Sequence, residues 1–333
     1  MGFFNKMTGG KESAAPTEKD FIDALALHLR GEIDSALGVY LQVAEDRPHD
    51  HLPPFFISAI MAGQGKTAEA AANLRFLSQT IAGQGGVISR SIFQSMVGQM
   101  RKAPHLSTPA VAEIFATFGD LLKRERFLLE SAVCFEIANG LDPENADLLY
   151  KLGDTLHDLG NYDYAESMLQ EALQYAPQHW GALYTYGVLL QDLGRFDEAI
   201  SCYERAVAIN PDHAKCQNNF GAALLGTERA DEALVHCARA VELAPDLAFA
   251  RINLGNIHLR KGEYEAARTC YNTALALDAT LAAAYFGLGS AEKGLGSASA
   301  RVQELYRKAI ELNPAVTAFQ QALDNLLAAE GKD

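Results

Sequence analysis

Residues 146–211 read ADLLYKLGDTLHDLGNYDYAESMLQEALQYAPQHWGALYTYGVLLQDLGRFDEAISCYERAVAINP, and this stretch states one pattern twice at a 34-residue period. The first copy places Leu149, Leu152, Gly153, Leu156, Ala165, Leu169, Ala172 and Pro177. The second places Leu183, Tyr186, Gly187, Leu190, Ala199, Tyr203, Ala206 and Pro211 at the same offsets. A fixed period of that length means stacked supersecondary units, and it decides architecture before any local propensity does. The period runs on in both directions: Gly119, Gly153, Gly187, Gly221, Gly255 and Gly289 share one register, and Ala138, Ala172, Ala206, Ala240 and Ala274 another.

Within each unit, apolar residues three and four apart predict an amphipathic first helix. A second helix follows, stopped by Pro143, Pro177, Pro211 or Pro245, because proline cannot continue it. A mid-helix glycine costs about 0.5–1 kcal/mol relative to alanine, so six at one register need a compensating contact. Close approach of the paired helix supplies it, with the small Ala165, Ala199 and Ala233 expected to face the notch.

The pattern Leu183-x2-Tyr186-Gly187-x2-Leu190…Ala199-x3-Tyr203…Pro211 resembles the tetratricopeptide repeat, a helix–turn–helix unit. The resemblance implies an all-α, right-handed superhelical α-solenoid with a C-terminal capping helix. Residues 1–16 have no helical pattern and are expected to form a tail carrying Phe3 and Phe4. Residues 17–82 read as two degenerate repeats, with Ala24, Gly31, Ala36, Tyr40 and Pro48 in the first and Ile57, Gly65 and Ala70 in the second. The period breaks over 83–111, which read as an extra helix and a linker. Residues 112–314 make six repeats, the last with one extra residue that the late Pro314 places in the Ser297–Ser299 turn. Residues 315–333 supply a capping helix and a tail, which a solenoid needs because each repeat buries its apolar face against a neighbour.

Composition narrows the function. The 333 residues are 49% hydrophobic and carry a net charge of −14, with enough apolar material for a core. Residues 1–111 balance 10 basic against 10 acidic residues, while 112–333 set 18 against 32, so the imbalance lies in the array. An acidic surface repels phosphate backbones, so nucleic acid is not an expected partner. No apolar run is long enough to span a membrane, and residues 1–11 do not read as a secretory leader. Five cysteines without metal-ligand spacing suit a reducing compartment, so a cytoplasmic location is expected. Neither a nucleophile motif nor a dinucleotide fingerprint occurs, Ala62–Thr67 lacks phosphate-loop spacing, and His49 and His51 lack a third ligand. No enzyme, cofactor or metal site is expected.

In the resembled family the first helices of successive repeats line a groove that grips extended peptides or helices. Transferred by offset, the groove is expected to contain Asp147, Tyr150, Asp154, Asp158, Tyr184, Asp192, Lys215, Asn218, Asn219, Ile252, Asn253, Asn256, Arg260, Phe286 and Lys293. Asn219 and Asn253 share a register in adjacent repeats, with Asn218 and Asn256 beside them. An amide both donates and accepts, so this ladder suits a peptide main chain. Tyr150, Tyr184 and Phe286 offer the flat area favoured in binding surfaces. Charge reverses along the row, from an excess of acids in the first three repeats to Lys215, Arg260 and Lys293 in the last three. A ligand is therefore expected to set its basic part toward Asp147–Asp192 and its acidic part toward Lys215–Lys293. The row departs from the family's carboxylate clamp, since Tyr184 and Val188 stand where Lys and Asn are wanted. The function expected is a non-catalytic adaptor or scaffold with a protein or peptide partner. The alternatives are a targeting subunit of a glycosyl-, sulfo- or methyltransferase complex, and a scaffold that self-assembles with a sister chain.

Overall fold

A computed structural model describes Ala24, Leu27, residues 32–46, Ile57, 107–124 and 126–330. The tail 1–16, the loop resembling a phosphate loop, His49 and His51, and the extra helix read within 83–102 lie outside these residues. The described residues are helical, without a strand, and fall into two compact units, Met1–Ala176 and Pro177–Asp333. Consecutive helical hairpins make it an α-solenoid.

Unit 1 holds α1 (Ile33–Asp46), α2 (Thr108–Arg124), α3 (Leu128–Leu141), α4 (Ala146–Asp158) and α5 (Tyr162–Tyr175). Helix α2 begins inside the segment read from sequence as linker. Pro109 does not prevent this, since in a first helical turn its missing N–H has no partner to lose. One core joins Ala24, Ala36, Tyr40, Val43 and Ile57 to Val111, Phe115, Phe118 and Leu148. The described residues of the N-terminal segment thus pack on α2 and α4.

Unit 2 holds α6 (Trp180–Asp192), α7 (Phe196–Ile209), α8 (Ala214–Gly226), α9 (Ala230–Leu243), α10 (Ala248–Arg260), α11 (Tyr264–Leu277), α12 (Ala282–Gly294), α13 (Ser299–Leu312) and α14 (Thr317–Glu330). Each first helix packs on the second helix of its own repeat and beside the first helix of the next. Helix α13 starts one residue late, which places the extra residue in the turn after α12. Ala279 replaces the usual proline after α11. There the Asp278 carboxylate accepts from Thr280 N at 2.8 Å and from its Oγ1 at 2.6 Å, a turn that ends the helix instead. Helix α14 lays Phe319, Leu323 and Leu326 over the last hairpin and covers the face that a further repeat would have covered.

The glycine notch is filled differently from the sequence expectation. A Cβ on Gly153 would meet Leu169 Cγ at 2.8 Å, one on Gly187 Tyr203 Cε1 at 2.7 Å, and one on Gly255 Tyr271 Cε1 at 2.8 Å. The plug is the side chain sixteen residues on. Ala165 and Ala233 contribute their backbone carbonyls, at 3.3 Å from a Gly153 Cβ and 3.1 Å from a Gly221 Cβ.

A second glycine register closes each first helix. Gly160, Gly194, Gly262 and Gly296 take φ of +74° to +76°, the left-handed residue that lets chain leave a helix while bonding its last carbonyls. Gly160 N donates to His157 O and Asn161 N to Leu156 O, both at 2.9 Å. Arg126 (φ 67°) and Glu228 (φ 63°) hold the same register without being glycine.

Candidate peptide-binding face

In unit 1 the first helices α2 and α4 lie one repeat apart, and their facing charges pair. Lys151 Nζ sits 2.9 Å from Asp120 Oδ2 and 3.1 Å from Asp147 Oδ2. Lys123 Nζ bonds Asp154 and lies 3.2 Å from Asp158 Oδ2. Burial alone would lower the Lys151 pKa, but the hydrogen bonds it donates to Asp120 and Asp147, with the charge of those carboxylates, outweigh it and leave the ammonium above its ordinary value. Asp147, Asp154 and Asp158, expected from sequence to await a basic ligand, thus already hold two lysines of their own unit. Adding formal charges along a row overlooks this, because side chains 31 residues apart meet across neighbouring helices. Tyr150 stands half-buried beside them on α4.

In unit 2 the face begins with an aromatic group. Trp180 stacks on Tyr184 (centroids 5.5 Å apart, planes at 3°), and the His213 ring meets both edge-on at 4.6 and 5.4 Å. His213 is held there by its capping role: its Nδ1 accepts from Cys216 N at 3.1 Å at the start of α8. His179 Nδ1 does the same for Ala182 N at the start of α6, at 3.0 Å. Burial first, and then the Lys215 ammonium, push the His213 pKa below its ordinary value.

From Tyr184 a chain of amides crosses three first helices. Asn219 Nδ2 donates to Tyr184 Oη at 3.3 Å, Asn218 Nδ2 to Asn219 Oδ1 at 3.1 Å, and Asn253 Nδ2 to Asn218 Oδ1 at 2.9 Å. The ladder read from sequence is therefore linked to itself. Each amide carries two N–H groups and two acceptor lone pairs, so the chain does not saturate it. Asn219 and Asn253 are half-buried and present the remainder on this face; Asn218, 7% exposed, is a buried link.

The other expected residues take different places. Asn256 Oδ1 accepts from the Tyr271 hydroxyl at 2.7 Å. Arg260 Nη1 donates to Leu225 O at 2.7 Å, a cation at the carboxyl end of α8 where the helix dipole favours it. Ile252 is 5% exposed and packs in the core with Tyr271, Ala284 and Leu288, so its assignment to the groove is corrected. Its side chain faces the neighbouring hairpin, not solvent. Phe286 lies 5.4 Å from the Tyr306 ring and 4.9 Å from that of Phe319, beneath the capping helix. Asp192, Lys215 and Lys293 are exposed. Sequence reasoning missed Phe249, which is 59% exposed on α10. It shares the second offset of its repeat with Asp147 and Lys215, and that register was sufficient to find it.

No three His, Cys, Asp or Glu side chains among the described residues are placed to hold a metal. All five cysteines are buried and free; burial raises Cys216 and Cys237 to about 12, so neither thiol is a ready nucleophile. No described helix is long and apolar enough to cross a membrane.

Family models for the tetratricopeptide repeat match residues 117–179 and 156–218, and a model for the TPR repeat matches 255–296. The chain is a tetratricopeptide-repeat protein. No curated protein sequence matches it. Among solved structures, the APC/C hetero-tetramer Cut9–Hcn1 aligns at TM-score 0.59 and 15% identity, over 92% of this chain and 55% of that one. PilF of Pseudomonas aeruginosa aligns at TM-score 0.57 and 16% identity, over 66% of this chain and 99% of that one. YrrB, described as a TPR protein with an unusual peptide-binding site, aligns at TM-score 0.47 and 21% identity, over 56% and 96%. These likenesses concern the fold. Tetratricopeptide repeats build a protein-interaction scaffold, and this chain presents one.

Proposed function

We propose that this protein is a non-catalytic adaptor that holds an extended segment of a partner protein on the first-helix face of unit 2. The observation that carries the reading is the amide chain Asn253–Asn218–Asn219–Tyr184. It places donors and acceptors on successive helices, and groups of that kind pair with peptide N–H and C=O whatever the side chains. Because the amides are fixed by one another, little side-chain freedom remains to be lost on binding. The five buried thiols fit a reducing compartment, and we place the adaptor in the cytoplasm.

The test compares affinity capture from native extract on the wild type and on an Asn219→Ala/Asn253→Ala variant. Two neutral hydrogen bonds are together worth about 1–3 kcal/mol, so a true ligand should bind roughly tenfold more weakly to the variant. The substitutions also leave the buried Asn218 amide without its partners, so thermal melts fix a working temperature at which both proteins are folded. Identical capture profiles from the two folded proteins refute the assignment of this face.

A further inference from the structure

On the second helices of unit 2 and in their turns most cations are paired with acids: Arg195 with Glu198, Arg229 with Glu232, Arg239 with Asp212 and Glu242, Lys261 with Asp231, Arg301 with Glu304 and Lys308 with Glu311. Arg205 bonds the Pro177 carbonyl and Arg307 bonds Gln303. The first-helix row is different. Its lining offsets carry Lys215, Arg260 and Lys293 against Asp192, in a chain whose overall charge is −14. Arg260 is engaged by the Leu225 carbonyl. Lys215 and Lys293 are exposed and form no ion pair among the described residues. Between their helices α10 presents Phe249, one turn before Asn253 and so on the same side of that helix.

The helical lattice fixes the spacing. Lys215 and Phe249 share an offset on adjacent helices, so they stand about 10 Å apart, the usual distance between packed helix axes. Lys293 lies one helix further and ten residues along its repeat, about 15 Å at 1.5 Å per residue, hence roughly 18 Å from Phe249. An extended chain advances about 3.3–3.6 Å per residue, so these gaps correspond to about three and about five residues.

We propose that this face recognises an acidic peptide: an extended stretch of about nine residues with a carboxylate at each end and an aliphatic or aromatic side chain near its fourth position. The carboxylates meet Lys215 and Lys293, the apolar side chain covers Phe249, and the main chain between them crosses Asn219 and Asn253. The inference rests on the adaptor reading and adds the ligand's chemistry to it. A peptide fits better than a nucleic acid because two cations about 28 Å apart along this path, set in an acidic protein, cannot neutralise a continuous run of phosphates.

The experiment pans a displayed library of random twelve-residue peptides on the full chain. Expected enrichment is for sequences with two acidic residues about eight positions apart and an apolar residue between. The best of these, synthesised and measured by fluorescence anisotropy, should lose about tenfold affinity on Lys215→Ala/Lys293→Ala and several-fold on Phe249→Ala. Exposed ion pairs of this kind are screened, so 0.5 M salt should weaken it as well. All three substitutions are at exposed positions and leave the core intact. Enrichment of neutral or basic peptides overturns the inference, as does equal binding by a twelve-nucleotide single-stranded DNA. Affinity that falls with Asn219→Ala/Asn253→Ala but not with the lysine variant removes the acid preference and leaves the adaptor standing. If no peptide is enriched at all, both readings fall.

Discussion

Replacing Gly255 by alanine tests the packing on which the solenoid depends. The new Cβ would sit 2.8 Å from Tyr271 Cε1 and 2.9 Å from its Cζ. Carbon atoms prefer about 3.5–4.0 Å, so the ring must retreat by roughly 0.7 Å or more. Tyr271 is fully buried, and overpacking a closed core costs about 1–3 kcal/mol. Moving the ring also strains the 2.7 Å bond from its hydroxyl to Asn256, worth about 1 kcal/mol. Against this, alanine in place of glycine gains about 0.8–1 kcal/mol of helix propensity. The net expectation is a loss of about 1–3 kcal/mol. Gly140, on α3 with nothing within 4 Å of a Cβ, supplies the control, and Gly140→Ala should stabilise by up to about 1 kcal/mol. Urea unfolding followed by circular dichroism measures both, with hydrogen exchange of residues 248–277 reading the local effect, because repeat arrays need not unfold in one step. If Gly255→Ala is as stabilising as Gly140→Ala, the notch is not tight and the account of the glycine register is wrong.

Glu228 holds a left-handed φ of 63° in a register elsewhere given to glycine, and a non-glycine residue there costs roughly 1–2 kcal/mol. After the chain-entropy cost of glycine, Glu228→Gly should raise stability by up to about 1 kcal/mol in urea unfolding; a loss would show that the Glu228 side chain matters more than its backbone. The His213 pKa is lowered in the folded state, first by burial and then by Lys215, from an ordinary value of 6.5. A lowered folded value means the capping contribution is fully present above that ordinary value and is lost as pH falls through the folded one. The melting temperature should therefore drop between pH 7.5 and pH 5. His213→Asn keeps a side-chain acceptor at the cap and should reduce that drop without abolishing it, since burial also lowers His236. An unchanged pH profile in the variant removes His213 as a contributor.

The 34-residue period made the hairpins, their order and their ends legible, because it repeats in residues whose physics is local: the proline that stops a helix, the apolar stripe, the small residue. The partner of each glycine was hidden for the complementary reason. The plugs are Phe135, Leu169, Tyr203, Cys237, Tyr271 and Tyr306: tyrosine fills half of the holes and three other residue types fill the rest, so no one letter marks the position throughout. The left-handed register was masked in the same way, since Arg126 and Glu228 interrupt its glycines. Groove residues were read by offset, which gives direction from a helix but not what lies across from it. Lys123 opposite Asp154 and Asp158 of α4, Lys151 opposite Asp120 of α2, and Phe319 over Phe286 are three-dimensional neighbours that the offset rule does not see.

This difference bears on what the amide chain is for. Had Asn218, Asn219 and Asn253 been isolated on the surface, each would rotate freely and a ligand would have to order it, at about 0.5–1.5 kcal/mol per side chain. Joined to Tyr184, which is itself stacked on Trp180 and flanked by the His213 cap, they are ordered before anything binds. The same links make Asn218 a buried polar group whose loss would leave its neighbours unsatisfied, so in the proposed adaptor one chain of amides would serve both stability and recognition. On that proposal a substitution that breaks the ladder should lower both, whereas changes at the exposed Lys215, Phe249 and Lys293, outside it, should alter ligand preference at little cost to the fold. Separation of that kind, with a rigid main-chain reader surrounded by exposed specificity residues, is how a repeat scaffold can change its partner while keeping its packing.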